Sequence, residues 1–272
     1  MVRALLARGI PVRAAVRDPA AATLPDTIET VRFDFEDART FGPAAAGARG
    51  IFLLRPTHIT KVGGTLVKAL GSAAAAGVEH CVFLSVAGAA RQPWIPHRKV
   101  EKALEASSLS WTFLRANHFM QNMLGPYREA ILSGRLALPA GQGRVSFVDC
   151  ADLGEVAALS FADPARHSGQ AYHLTGPRAV SFSELAATLS NSLEREVVYE
   201  PIGAFSYWRA LRRTGAPLPY ATIITTLHVG VRRGVAATVD PTLPRLLQRP
   251  ATTVEEFIDR NVAVFGLTAP AR

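Results

Sequence analysis

The chain has 272 residues, of which 49% are hydrophobic and 19% are charged, and its formal net charge is +8. This composition excludes a disordered chain and predicts one large folded domain, or one domain with an added lobe. Two cysteines, Cys81 and Cys150, exclude a disulfide framework and lack the spacing of metal ligands. We expect a cytoplasmic protein without a signal peptide, because no charged segment followed by a long apolar run opens the chain.

The excess of basic residues permits nucleic acid or another anionic partner. One concentrated patch, Tyr207-Trp208-Arg209 with Arg212, Arg213 and Arg232-Arg233, would suit either a ring stacked on a base or a solvated helix face. The scattered arginines elsewhere and the absence of any known DNA-binding motif favour the second interpretation, so nucleic acid is not an expected partner. No membrane partner is expected, because the uncharged run 216–231 is too short and too polar to cross a bilayer.

Strand-like and helix-like segments alternate along the first 115 residues. An amphipathic segment at 2–8 precedes a half-buried strand at 12–17, which ends at Asp18-Pro19. This alternation with short links is typical of a parallel, doubly wound sheet. The further predicted segments are strands at 30–35, 50–54, 81–86 and 111–115, and helices at 37–46, at 60–76 with Thr60 as the cap, and at 97–106.

The pattern of the chain changes after the fifth strand. A loop at 116–123 and a glycine-rich stretch at 136–148 follow, and acidic residues open the next helix. Ser181 and Glu184 stand at capping-box spacing, which predicts another helix start.

These segments predict an α/β fold with two parts. Residues 1–150 form a Rossmann-type, doubly wound parallel sheet, and residues 151–272 form a small C-terminal α+β substrate lobe, packed on the sheet and interleaved with it. Ligands of such sheets lie outside the carboxyl ends of the strands, so residues at those ends are the candidate site.

Arg17 closes the strand at 12–17, at the place where an acid would bind the ribose hydroxyls of NAD. A guanidinium there can grip the 2′-phosphate of NADP through several donors, so NADP(H) is expected as cofactor in preference to NAD(H). The alternative is a surface arginine at a strand end. Asp34 and Phe35, at the end of the next strand, either contact the adenine or cap a turn and pack against the protein.

The segment Leu54-Arg55-Pro56 and Ser85 end two further strands, where the nicotinamide ribose would lie. Arg55 either pairs with the cofactor phosphates or is solvated. His97 opens the following helix and is a candidate proton donor, because an imidazole titrates near neutral pH. Lys102, on the same helix, could reach a ribose hydroxyl. The alternative for both is an ordinary helix start with solvated charges.

Several stretches of the chain carry a family resemblance when they are taken together. They are 5–9 with 16–19, 97–102, 111–115 continuing to 119–122, 147–149 with Asp152, and 174–177. With these stretches the chain resembles the NmrA-like branch of the short-chain dehydrogenase/reductase superfamily over essentially its whole length. The resemblance implies a Rossmann fold with a small substrate lobe. It also implies either an NADPH-dependent reductase of quinones or dyes, or a regulator that binds a dinucleotide without turnover.

The same resemblance implies roles for individual residues. The family commonly has proline where Ala116 stands, so the loop that follows is set differently here. The superfamily's Tyr-x-x-x-Lys motif, which cooperates with a serine equivalent to Ser85, is absent from this chain. The implied cofactor residues are Arg17, Leu54, Arg55, Pro56, Thr57, Ser85 and Gly141, and the implied substrate residues are Asn117, His118 and Phe119.

Members of the family begin with a strand and a G-x-x-G-x-x-G turn, whose backbone approaches the cofactor pyrophosphate. Met1 falls inside the helix that follows, so about 15 residues of that pattern are absent. The absent strand is central in the order 3-2-1-4-5-6, and its absence leaves two neighbouring strands without a partner. We therefore expect the natural start to lie upstream of Met1.

The resemblance, together with these residues, implies two functions. The first is an NAD(P)H-dependent oxidoreductase that passes a hydride to a small quinone-like or dye-like molecule, with Ser85 and His97 as catalytic residues and no metal. A delocalised product anion needs little help from an acid, so the missing tyrosine is tolerable. The second is an NADP-sensing regulator with a protein partner, which the missing tyrosine favours. A truncated homologue that binds no cofactor is a third possibility.

Overall fold

Strands and helices alternate through the first half of the computed structural model, which describes residues 1–25 and 27–265. The strands are β1 (Arg13–Val16), β2 (Glu29–Arg32), β3 (Gly50–Leu54), β4 (His80–Val86), β5 (Ser110–Ala116), β6 (Arg135–Leu138), β7 (Arg144–Val145), β8 (Gln170–Leu174), β9 (Val180–Ser181) and β10 (Val198–Pro201). The helices are α1 (Val2–Leu6), α2 (Phe41–Ala45), α3 (Lys68–Ala75), α4 (Pro96–Glu105), α5 (Arg128–Leu132), α6 (Cys150–Ala162), α7 (Pro164–His167), α8 (Phe182–Ser192), α9 (Ala204–Arg213), α10 (Leu218–Arg232), α11 (Thr242–Leu247) and α12 (Val254–Arg260).

Two sheets carry the strands of the first half. β1 pairs in parallel with β2, and a four-stranded sheet has the order β3-β4-β5-β8, in which β3, β4 and β5 are parallel. Within residues 1–25 and 27–265, no ladder joins β1 to β3. The orders β2-β1 and β3-β4-β5 match the two sides, 3-2 and 4-5-6, of a doubly wound sheet with the order 3-2-1-4-5-6. The predicted α/β, Rossmann-type fold is confirmed.

The central strands are buried because their residues are apolar on both faces. Cys81, Val82 and Phe83 of β4 are fully buried, as are Phe113 and Leu114 of β5. Such continuous apolar strands need helices on both faces of the sheet. The residues that pack against this strand core from α3, α4 and the preceding turn are Leu66, Leu70, Ala73, Val100 and Leu104.

The helix predicted from Thr60 begins later than expected. A π-helical turn spans Gly63–Val67 and continues into α3, and the residue before it, Val62, makes no side-chain cap. Two adjacent glycines at its start weaken helix formation, because glycine loses more backbone freedom than any other residue. The helix ends as predicted at Gly77, whose φ of +88° lies in the left-handed region that favours glycine.

The described residues form two compact units, each built from two segments of the chain. The first unit contains 1–116 and 153–172, and the second contains 117–152 and the described residues from 173 onward. In the second unit β6 pairs in parallel with β10, and β7 pairs antiparallel with β9. Its own apolar core includes Met120, Phe147, Phe182, Leu189 and Ile258, all nearly or fully buried.

The predicted capping box at Ser181 is confirmed and provides a stability test. Ser181 Oγ accepts from the Glu184 N–H at 3.1 Å, and Glu184 Oε2 accepts from the Ser181 N–H at 2.6 Å. We expect Ser181→Ala to lower the free energy of unfolding by ~1 kcal/mol in urea denaturation, because two backbone donors lose their acceptors or their alignment. The exposed neighbour Ser183 provides the control, and Ser183→Ala should change that energy by less than ~0.5 kcal/mol. Equal losses in the two variants would argue against the cap.

Candidate functional site

The carboxyl ends of β1, β2 and β3 line a cavity of about 300 Å³ in the first unit. Four of the predicted cofactor residues meet there: Arg17 after β1, Asp34 and Phe35 after β2, and Pro56 after β3. The strand predicted at 30–35 ends earlier, at Arg32, so the acid and the aromatic belong to the following turn. The other lining residues are Ala15, Phe33, Glu36, His58 and Ile59.

The cavity combines a guanidinium with aromatic walls. Arg17 is exposed, and among the residues that the structure describes none hydrogen-bonds its side chain. The rings of Phe33 and Phe35 meet edge to face with centroids 4.7 Å apart. Asp34 caps its own turn, since its Oδ1 accepts from the Glu36 N–H at 2.9 Å. The cavity therefore offers guanidinium donors beside aromatic walls, a combination that can bind an anionic group next to a flat ring.

Arg55, at the end of β3, is half-buried and directed at protein atoms. Its Nη1 donates to the carbonyls of Pro56, Thr57 and Ile59 at 2.9, 3.1 and 2.7 Å. Its Nε donates to Nε2 of His97 at 3.4 Å. Burial lowers the pKa of the guanidinium. The side chain therefore organises the loop at 56–59 instead of extending into solvent.

His97 lies at the start of α4, with its ring 6.2 Å from that of Phe83 between centroids. Burial, and then the positive charge of Arg55, lower the pKa of His97 to about 4 against the opposite effect of Glu101. The ring is therefore neutral near neutral pH. In this form it can donate one hydrogen bond and accept another, but it lacks the second proton that an imidazolium could release.

A buried carboxylate, that of Glu101, joins α4 to the ends of β4 and β5. It is fully buried and accepts from Ser85 Oγ at 2.7 Å, and from Nε and Nη2 of Arg115 at 3.0 and 2.9 Å. Arg98 Nη1 adds a fourth bond at 3.1 Å. Burial by itself raises the pKa of Glu101, but the hydrogen bonds and charges of these partners outweigh it, so the pKa is lowered. Glu101 is thus an anion that four donors hold in place.

The contact with Glu101 determines that the Ser85 hydroxyl is a hydrogen-bond donor to Glu101 and can only accept from any other group. An ionised carboxylate only accepts hydrogen bonds, so the single hydroxyl proton of Ser85 points at Glu101. Ser85 is itself nearly fully buried. Any ligand that reached its oxygen would have to donate to it.

The remaining predicted residues of the first unit lie on its surface. Leu54 is 49% exposed at the end of β3. Thr57 is exposed and contributes its carbonyl to Arg55. Lys102 is exposed on α4, next to the buried Glu101.

The predicted substrate residues lie in one hydrogen-bonded loop of the second unit. Asn117 is buried; its Nδ2 donates to Ser146 Oγ at 2.6 Å and to the Ala236 carbonyl at 2.9 Å, and its Oδ1 accepts from the His118 N–H at 2.9 Å. Phe119 forms a parallel bridge with Val148. Burial, and then His228, lower the pKa of His118 to about 4.

Gly141 lies in a turn of the second unit with a φ of +54°. Its carbonyl accepts from Tyr199 Oη at 2.9 Å. A Cβ at this position would lie 3.1 Å from Cγ of Arg232, whose side chain can shift, so the left-handed φ is the main reason for glycine in this turn.

Several residues of these sites were not predicted from the sequence, among them Phe33, His58 and Glu101. Phe33 and His58 line the cavity, and Glu101 holds Ser85 and Arg115. A signal for Glu101 existed, because it is adjacent to Val100 and three residues before Leu104 on the apolar face of α4. An acid on such a face needs a partner.

The described residues contain neither a membrane-spanning helix nor a cluster of metal ligands. No helix in 1–25 and 27–265 is long and apolar enough to cross a bilayer. The same residues contain no group of three or more histidine, cysteine, aspartate or glutamate side chains that could hold a metal ion.

A parallel, doubly wound sheet with a cavity at its carboxyl ends defines a dinucleotide-binding class of α/β protein. The model of the NmrA-like family matches residues 1–258. The chain belongs to the NmrA-like family, as its sequence predicted.

Known proteins of similar sequence and structure include several reductases. The chain is 33% identical to the NAD(P)H azoreductase of Xenophilus azovorans, over 98% of this chain and 94% of that protein. It is 28% identical to quinone oxidoreductase 2 of Escherichia coli (strain K12), over 90% of this chain and 87% of that one. The crystal structure of NADPH-dependent quinone oxidoreductase from Escherichia coli complexed with NADPH superposes with a TM-score of 0.82 at 26% identity, covering 95% of this chain and 94% of that one. The similarity to these proteins agrees with a nicotinamide cofactor.

The Glu101 network predicts a large and specific loss of stability. Glu101→Ala leaves two arginines and a hydroxyl without their buried acceptor, so we expect the free energy of unfolding in urea to fall by ~3–5 kcal/mol. Glu105→Ala is the matched control, because Glu105 pairs with the same Arg98 at 2.6 Å but its side chain is 34% exposed. That variant should lose ~0–1 kcal/mol. Losses of equal size would mean that burial of Glu101 has no special energetic role.

Proposed function

We propose that this protein is an NADPH-dependent oxidoreductase that reduces a quinone-like or dye-like aromatic acceptor. The observation that carries the proposal is the cavity at the ends of β1, β2 and β3, in a chain that is 33% identical to an NAD(P)H azoreductase over 98% of its length. Such a cavity at the carboxyl ends of parallel strands is where a doubly wound fold binds its dinucleotide.

Different residues around the cavity would contact different parts of the cofactor. Arg17 would bind the 2′-phosphate, since its donors are available, and Phe33 and Phe35 would contact the adenine. Pro56 and Thr57, whose carbonyls Arg55 holds, would line the path toward the nicotinamide. When the cofactor is bound, its nicotinamide ring supplies the hydride.

The hydrogen-bonding groups of the first unit suit an acceptor that needs little acid catalysis. His97, with its pKa near 4, would offer a hydrogen bond without releasing a proton. Ser85 would only accept, because its proton points at Glu101. A reduced quinone or dye carries its negative charge over several atoms, so solvent can complete the protonation.

A second candidate function is a dinucleotide-sensing regulator without turnover. The same two observations favour it, since neither Ser85 nor His97 has a proton to release near neutral pH. In this case NADP and NADPH would bind with different affinities, and one form would recruit a protein partner.

Calorimetry followed by a turnover assay separates these functions. We expect NADPH to bind the full chain, and the complex to oxidise NADPH in the presence of a panel of naphthoquinones, benzoquinones and azo dyes, followed at 340 nm. Binding without turnover by any acceptor would contradict the reductase and support the regulator. Absence of NADPH binding would contradict both functions.

Arg17 provides the test of cofactor preference. We expect Arg17→Ala to weaken NADPH binding by ~10–100-fold, because a charge-assisted contact with the 2′-phosphate is lost, and to leave NADH binding unchanged. Calorimetry with both cofactors measures the ratio. Arg32→Ala is the control, since Arg32 is exposed near the same turn but pairs with Asp37 and does not line the cavity. Equal weakening of NADPH and NADH by Arg17→Ala would remove its role in selection.

A further inference from the structure

We propose that Arg55 is a positioning residue that holds His97 as a neutral ring with its proton on Nδ1, and that it ties this ring to the wall of the cofactor cavity. The inference rests on the proposed function only in treating His97 as a residue of the site. The contacts that carry it are those of Arg55, and they exist whatever the acceptor is.

Hydrogen bonds from one guanidinium nitrogen of Arg55 to three backbone carbonyls fix the position of its side chain. Nη1 donates to the carbonyls of Pro56, Thr57 and Ile59 at 2.7–3.1 Å, which holds the plane of the guanidinium in place. Nε then points at Nε2 of His97, 3.4 Å away. Because the guanidinium group is planar, fixing Nη1 also fixes the direction of Nε–H.

This geometry determines the tautomer of His97. A guanidinium has only donors, so the ring nitrogen that faces it must accept. In a neutral imidazole one nitrogen accepts and the other carries the proton, which places the proton of His97 on Nδ1. A proton on Nε2, in the other tautomer or in the cation, would set two N–H groups against each other.

The surroundings of His97 also favour its neutral form, although they include one charge of the opposite effect. The end of β3 contributes Arg55, and α4 contributes Glu101 one turn further along. The negative charge of Glu101 favours the imidazolium form, but Glu101 also accepts from Arg98 and from Arg115 of β5. β4 contributes the uncharged ring of Phe83. Burial and the charge of Arg55 together therefore keep the ring neutral, in agreement with its low pKa.

The same side chain connects His97 to the cavity. Pro56 and Ile59, whose carbonyls Arg55 holds, are both lining residues of the cavity, as is His58 between them. A ligand that presses on this loop would move the acceptors of Arg55. The orientation of His97 is thereby coupled to the residues that would contact the cofactor.

Nitrogen NMR of the full-length chain, labelled with ¹⁵N-histidine, tests the proposal without any turnover. We expect the cofactor-free wild type to show His97 protonated on Nδ1 and unprotonated on Nε2, with a pKa well below its ordinary value. His97→Gln assigns the signal, because one of seven histidines then disappears. A wild-type ring protonated on Nε2 at neutral pH would overturn the proposal.

Two substitutions of Arg55 separate its charge from its geometry. Arg55→Met removes both, so the pKa of His97 should rise by roughly one unit and the common Nε2–H tautomer should appear. Arg55→Lys keeps the charge, so the pKa should stay low, but one ammonium cannot hold three carbonyls and the ring together, so both tautomers should be present. Arg39→Met, on an arginine whose side chain is 89% exposed, should leave the His97 signal unchanged.

The outcomes distinguish this inference from the proposed function. An unchanged tautomer and pKa in Arg55→Met would refute the positioning role even if the enzyme reduces quinones. The Nδ1–H tautomer in the wild type, lost in Arg55→Met, would support the role even if no acceptor is turned over. If Arg55→Met does not fold, the wild-type spectrum and Arg55→Lys still decide the question.

Discussion

The carboxyl ends of β4 and β5 depend on the buried carboxylate of Glu101. Ser85 and Arg115, which bind it, are register partners on these two strands, so one acid holds both strand ends and α4 together. Burial of a charge costs several kcal/mol unless donors satisfy it, and here four hydrogen bonds do so. His97 lies one helical turn before Glu101, so its position follows from this contact.

Two arginines at neighbouring strand ends differ because their surroundings differ. Arg17, after β1, is exposed and keeps its donors available to a ligand in the cavity. Arg55, after β3, is half-buried and gives its donors to three carbonyls and a histidine. The first is suited to recognise a phosphate, whereas the second is suited to organise the loop and the ring beside it. The same residue type therefore serves recognition in one place and preorganisation in the other.

Buried acids also organise the second unit. Asp149 accepts from Arg260 at 2.6 Å, and Asp152 accepts from Arg249 at 2.8 Å and from the Thr252 N–H at 2.8 Å. Both aspartates are nearly fully buried, so each needs these donors. Together they hold the segment around α12 against the start of α6. The sequence pattern indicates only acids in the first turn of a helix, and it predicts neither arginine partner.

The sequence by itself determined the elements and the family. Apolar runs and their spacing predicted β3 at its observed bounds and the other strands of the first unit within two or three residues, because side-chain period records whether a segment is covered on one face or on both. Ser181 and Glu184 predicted a helix start, since a capping box is a local contact. Tertiary structure alone decided the partners of Arg55 and the burial of Glu101. Arg98 donates to Glu101 from the same helix, but the other two donor residues lie 14 and 16 residues away on two strands, and no local pattern records which strand ends meet.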